Sequence, residues 1–329
     1  MNNLVLPRLL VCGAINWDTT LFVDDLPGPG EEVKVNRVLS VPGGKGANTA
    51  VAAARILGEN EVGIIGMVGS DEMGEMQIKI LNGEGVDVSC MNRHKDLLSG
   101  QAYVVVDGNG ENMVLTHRAA NKAMTVEQVG AENVSAAVEN SRMMIIVDPP
   151  IEVATALATK ARERGKAVVL SPATLANRGF SVLEGLLSRA DYLILNEHEA
   201  MSLSGVEDGR IACEKLSTRL GATRVMTTLG SKGCIVCHEG KNMTIPAIDL
   251  SLFGLKAVST VGAGDTFGGA FSSFKLMGLA DQEAIFLANV AAAIKITREQ
   301  TRGSPTYEEI RKFAESDILR PIHEKYKVT

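Results

Sequence analysis

The sequence predicts an α/β protein with a mostly parallel sheet covered by helices on both faces, and a small antiparallel sheet set apart from it. Three observations lead there. Short apolar, β-branched runs alternate with helix-periodic stretches along most of the chain, the pattern of βαβ units. Many of the helical stretches close on glycine, as helix C-termini do. Two segments, 19–42 and 99–118, break this rhythm with extended patterns and turn signals.

In chain order, "RLLVCGAI" (8–15), "VGIIGMVG" (62–69), "RMMIIVD" (142–148), "AVVLSP" (167–172), "YLILN" (192–196) and "VMTTLG" (225–230) read as strands. They are apolar throughout rather than alternating, which fits burial on both faces. "ARILGE" and "ATALATKARERGKA" carry helical spacing between them. The first exceptional segment turns at Pro27 to Gly30, and the second is a hairpin about "DGNGEN". Together they predict the separate small sheet.

At 329 residues the chain reads as a single domain over 1–329, long enough to bury a sizeable core. A net charge of −6 with scattered lysines and arginines argues against nucleic acid as a partner. No window approaches 18 consecutive apolar residues, so no membrane partner is expected either. The N-terminus lacks a basic run and a small-residue cleavage site, so no signal peptide is expected. Five cysteines, an odd number at ordinary frequency, fit reduced thiols in a cytoplasmic protein. Cys234 and Cys237 form a C-x-x-C, but with no second pair the segment reads as an apolar strand.

Two glycine loops carry the chemistry. "SVPGGKGANTA" (40–50) leads into a helix whose apolar face runs Ala47, Ala50, Val51, Ala54, Leu57. It lacks P-loop spacing. Its glycines suit either a tight strand-to-helix turn or a cradle for an oxygen-rich ligand, and this stretch alone does not choose. "STVGAGDTFGGAF" (259–271) places Gly262, Ala263 and Gly264 before a helix with Asp265 at its start. Unpaired amides and the positive end of the helix dipole there make an anion hole. Asp265 is a helix cap on the plain reading. Beside an anion hole it is also placed to accept a proton from an attacking hydroxyl. The dipole is expected to keep Asp265 ionised at neutral pH, a weak base that takes its proton late.

"LILNEHEA" ends a strand at Asn196, with Glu199 three residues on. That is close to a capping box. The functional alternative has Asn196 and Glu199 binding phosphate oxygens and the waters of a Mg²⁺ ion, which uses few carboxylates. In "AINWD", Asn16 and Asp18 share one face of an extended chain, an amide and a carboxylate suited to neighbouring sugar hydroxyls. Trp17 points away and is expected to pack.

With "GGKGAN" early and "GAGDTF" late, the sequence resembles the ribokinase family of carbohydrate kinases, also called PfkB, from "VCGAINWD" to "TREQTRGSP". The resemblance implies a three-layer α/β/α sandwich with a β-lid. It implies Asp265 as catalytic base with Gly262, Ala263 and Gly264 as the anion hole. It places Gly44, Lys45 and Asn48 with Asn16 and Asp18 on the substrate, which makes the early loop a substrate cradle. Asp148 of "VDPP" falls where relatives carry a sugar-binding glutamate. Asn196 and Glu199 match the family's Asn-x-x-Glu motif. Thr228, Gly230 and Gly233 of "TLGSKG" match a nucleotide-binding turn, and Asn289 falls at an adenine contact.

The implied activity is transfer of the γ-phosphoryl of ATP to the primary (5-) hydroxyl of D-ribose, dependent on Mg²⁺. A nucleoside kinase of the same family is the alternative. Aromatic residues are scarce at 4%, and the lid hairpin offers only Tyr103 for stacking on a base. ADP could serve as donor in the same site, and a sugar phosphate as acceptor lacks an arginine cluster in the lid. A sugar-binding regulator without chemistry fits poorly with an intact Asp265. Lid pairing within the family implies a homodimer, which would also cover an exposed sheet edge. One departure stands out. Relatives begin the late signature with an aspartate that helps hold a monovalent cation such as K⁺. Here that position is Ser259, and Gln300 replaces an expected glycine, although Ser304 is retained. A hydroxyl is a far weaker cation ligand than a carboxylate.

Overall fold

The structure is a computed structural model that describes residues 7–109 and 111–327. Residues 1–6, and Gly110 within the predicted hairpin turn, lie outside the described residues.

The apolar runs assemble into one ten-stranded sheet. From one edge its order is Lys241–Ile245, Cys234–His238, Arg224–Thr228, Tyr192–Asn196, Ala167–Ser171, Met143–Val147, Leu9–Gly13, Val62–Gly69 and Val86–Asp87, with Met91–His94 also pairing to Val62–Gly69. All pairs are parallel except those made by Cys234–His238 with its two neighbours. Side chains alternate between two cores. Leu9, Val11, Ile145 and Val147 pack beneath the helices Lys45–Leu57, Ala263–Leu276 and Asp281–Ile296. Leu10, Cys12, Met144 and Ile146 face the opposite layer, with Ile151–Glu163, Phe180–Leu187 and Gly209–Leu220. Burial on both faces is why these strands are apolar from end to end. Three layers result, as expected.

Cys234 and Cys237 sit in the same strand but in opposite cores, so the C-x-x-C brings no thiol pair together. Among the described residues no helix is long and apolar enough to cross a membrane.

The two exceptional segments form a separate four-stranded sheet in the order Val35–Gly43, Asn16–Val23, Gly100–Val106, Asn112–His117. The outer pairs are antiparallel, and the two halves meet through a parallel pairing of Asn16–Val23 with Gly100–Val106. This lid begins at Asn16, earlier than the expected boundary at 19, so its first residues continue directly from the first strand of the main sheet. Asp18 lies on the lid's inner face. Trp17 turns to the outer face, half-buried, with its Nε1 donating to Ser40 Oγ at 2.7 Å.

The first strand is flanked by Val62–Gly69 on one side and by Met143–Val147 on the other. Strand order reverses at that point, and open α/β sheets take ligands in the crevice outside the carboxyl ends of such strands.

Candidate active site

A cavity of about 450 Å³ opens at this switch point, between the main sheet and the lid. The early glycine loop forms its floor. Gly44 caps the Lys45–Leu57 helix at φ 92°, and a Cβ there would meet Asn16 N at 2.4 Å. A Cβ on Gly43 would strike the Asp18 carboxylate at 1.9 Å. The glycines therefore let the loop press against Asn16 and Asp18, bringing Asn16, Asp18, Gly44, Lys45 and Asn48 onto one wall.

Buried partners hold these groups. Asn121, which nothing in its local sequence marked, accepts from Ile15 N at 2.8 Å and donates to Asn16 Oδ1 at 2.9 Å. Arg302, also unforeseen, is buried beneath the cradle. Its Nη2 donates to Gly43 O at 2.8 Å and to Gln77 Oε1 at 3.1 Å, and its Nε to Asn48 Oδ1 at 3.4 Å. Burial pushes the Asp18 carboxyl up to about 6, although Arg302 and Lys45 pull it down.

The late loop closes the opposite wall. Gly262 takes the left-handed conformation (φ 82°) that starts the Ala263–Leu276 helix. Gly262, Gly264 and Asp265 line the cavity. Ala263 does not: its N–H turns to Thr260 O at 3.1 Å. Among the described residues, the N–H groups of Gly262, Gly264 and Asp265 have no acceptor, so Gly262 and Gly264 stay free as expected, Ala263 is engaged, and Asp265 adds a donor. Small residues let the two loop helices approach; a Cβ on Gly269 would meet Thr49 O at 2.6 Å. Asn48 Nδ2 thereby reaches Asp265 Oδ2 at 2.8 Å.

Burial works against the helix dipole at Asp265. Burial pushes its carboxyl up from the ordinary value, and the pull of Lys45, Asn48, Lys295 and Arg302 does not reverse that. The helix mouth stabilises an anion by a modest amount, less than desolvation of this carboxylate costs. Asp265 is thus a stronger base than the dipole alone implies.

Over residues 6–307 the chain matches the pfkB family carbohydrate kinases. It belongs to that family. Ribokinase of Haemophilus influenzae is 33% identical over 312 residues, which cover 93% of this chain and 98% of that protein. Among solved structures, Thermotoga maritima ribokinase superposes with a TM-score of 0.82 at 28% identity, covering 94% of this chain and 100% of its own. Arabidopsis thaliana ribokinase complexed with ribose and ATP gives 0.83 at 26% identity, covering 94% and 99%. This PfkB member is a carbohydrate kinase, a phosphotransferase.

The other residues expected from the kinase resemblance divide into two groups. Asp148, Asn196, Glu199 and Thr228 line the same cavity. Asp148 sits at φ 57°, rare for a non-glycine residue. Its Oδ1 accepts from Thr174 Oγ1 at 2.6 Å and its Oδ2 lies 3.4 Å from Arg118, a residue at the end of the lid that the sequence did not single out. Burial raises the Asp148 pKa. Asn196 and Glu199 make the full capping box, with Glu199 N donating to Asn196 Oδ1 at 2.8 Å, and they face the cavity as well. The Glu199 pKa is raised by burial. Among the described residues no group of three His, Cys, Asp or Glu side chains gathers as a metal cage. Asn196 and Glu199 are an oxygen set that fits Mg²⁺ retaining most of its water.

Gly230, Gly233 and Asn289 are not brought to the cavity lining. Leu229 N donates to Gly233 O at 2.7 Å in a turn above the sheet. Asn289 is buried, its Nδ2 donating to Pro246 O at 3.2 Å. Ser259 and Ser304 also lie off the cavity lining.

Proposed function

We propose that this kinase transfers the γ-phosphoryl of ATP to the primary (5-) hydroxyl of D-ribose, with Asp265 as general base. One observation carries the reading. The Asp265 carboxylate, held at 2.8 Å by Asn48, stands beside the free Gly264 and Asp265 amides in the cavity that also holds Asn16 and Asp18. Asn16, Asp18 and Asn48 grip the sugar hydroxyls and aim the reactive one at Asp265. Its carboxylate takes that proton as the oxygen attacks phosphorus. The amides hold the migrating group, whose charge spreads over its equatorial oxygens. Lys45 acts electrostatically on Asp18, Asp148, Glu199 and Asp265 together, so it sits at the centre of the site's charge. Asn196 and Glu199 would hold Mg²⁺ through water, and bound Mg²⁺ neutralises phosphate charge. Thr228, with Gly230, Gly233 and Asn289 shaping the ground behind it, lies on the nucleotide side.

A free sugar suits the lid better than a nucleoside. The lid residues over the cavity are Ala102, Val104, Val114 and Thr116, none of which is a flat surface for a base. Tyr103 lies on the alternate face of the same strand. We also read the lid's outer face, with Val38 at 58% and Leu115 at 54% exposure, as the seat of a homodimer. An ADP-release assay against ribose, fructose and a nucleoside panel tests the assignment. Turnover with a nucleoside and none with ribose replaces it.

A further inference from the structure

We infer that Lys295 is a built-in cation, its ammonium standing beneath the Gly262–Asp265 turn in the place where relatives would hold a monovalent cation. This rests on reading that turn as the anion hole. Lys295 lies in an apolar helix and is fully buried, at 0% exposure. Its Nζ donates to Ser259 O at 3.0 Å. Asp265 is the carboxylate that acts on it electrostatically. A Cβ on Gly262 would meet Thr301 O at 2.3 Å and Lys295 Cε at 3.6 Å, so the lysine stem packs directly under the residue that shapes the turn. A buried ammonium with so few partners is unfavourable on its own account. An anion arriving at the helix mouth compensates it, and it in turn strengthens the hole.

Carbonyls of the 302–304 turn already accept from arginines. Arg55 Nη1 donates to Arg302 O at 3.2 Å and to Ser304 O at 2.6 Å. Arg298 Nη1 donates to Gly303 O at 3.1 Å and to Ser304 O at 3.2 Å. Ser259 offers a hydroxyl where a carboxylate would be needed. The Ser304 hydroxyl is buried without a partner among the described residues, but one neutral hydroxyl beside a Ser259 carbonyl that already accepts from the Lys295 ammonium makes a poor cation site. The monovalent-cation loop suggested by Ser304 therefore does not fit K⁺. Lys295 is a positioning residue, since its charge works through the turn.

The test uses the full chain. The rate at saturating substrates is measured in KCl, NaCl and choline chloride at equal ionic strength, and ADP-bound melting temperatures are compared in the same salts. Rates within twofold and equal melting temperatures are expected. In K295M, kcat should fall at least tenfold while KM for ribose stays within threefold. A severalfold rise with K⁺ in the wild type, or K295M turning over at the wild-type rate, overturns the inference. The wild-type salt series needs no variant to fold. Its own turnover separates failure of this inference from failure of the kinase reading.

Discussion

Asn48 Nδ2 donates to Asp265 Oδ2 at 2.8 Å, joining the helix of the early glycine loop to the helix of the late one. The amide cannot face the other way, because its oxygen is turned toward Arg302 Nε at 3.4 Å. One loop thus aims the carboxylate that the other carries, the base of the proposed reaction. Replacing Asp265 by Asn should lower kcat by about 10²–10⁴-fold, the range for a lost general base, with ribose affinity nearly unchanged. N48A should keep the base but lose its aim, with an intermediate fall. Single-turnover rates beside calorimetric ribose binding check both, and wild-type turnover in D265N removes the base assignment.

Asp18 sets a pH dependence. Its carboxyl is raised from the ordinary 3.8 to about 6, chiefly by burial. Between those values the folded protein holds a proton that the unfolded chain has released, so stability falls as pH rises through that window. At about 1.4 kcal/mol per pKa unit the ionised form carries a penalty of up to about 3 kcal/mol above pH 6. D18N should therefore melt higher than wild type at neutral pH and lose that slope. Sugar hydroxyls need the ionised acceptor, so KM for ribose should rise as the wild type is acidified through about pH 6. Parallel melting curves of wild type and D18N from pH 4 to 8 decide the stability part.

Much of this was legible because burial on both faces leaves strands such as 143–147 apolar from end to end, and because the two glycine loops sit at helix starts. That Asn16 and Asp18 share a face followed from strand alternation alone, although the sequence places them at the end of the first strand rather than in the lid. What stayed hidden depends on topology. Asn121 and Arg302 look like ordinary polar loop residues until the fold sets them behind Asn16 and Asn48. The parallel pairing of the two lid halves has no local signal either. Lys295 did leave one: a lysine in the otherwise apolar run "VAAAIKI" is a local conflict, and such conflicts concentrate at working sites.

Arg118 ties the lid to the body. It stands at the end of the Asn112–His117 strand, donates to Asp148 O and Thr174 Oγ1, and pairs with the Asp148 carboxylate. Hydrogen bonds from charged groups are worth about 1.5–3 kcal/mol each. R118A should therefore raise KM for ribose about tenfold or more. It should also raise ATP hydrolysis without acceptor, because an untethered lid admits water. A ratio of hydrolysis to transfer identical to wild type would show that Arg118 has no part in closure.

The lid's outer face predicts the oligomeric state. Tyr103 pairs with Leu115 across the Gly100–Val106 and Asn112–His117 strands, and Leu21 with Val38 across the other half. Strand alternation places all four on the side away from the cavity. Val38 and Leu115 are more than half exposed and Tyr103 is 39% exposed. A contiguous apolar face of this kind on a lid that must open and close is expected to be covered by a second lid. The double variant V38E/L115E puts two charges into that contact and should convert the dimer to a monomer by light scattering on a sizing column. It should also loosen the lid and raise KM for ribose without moving the Asp265-dependent step. A wild-type chain that runs as a monomer at tens of micromolar would leave the apolar face without a partner of its own kind, and the dimer reading would fall.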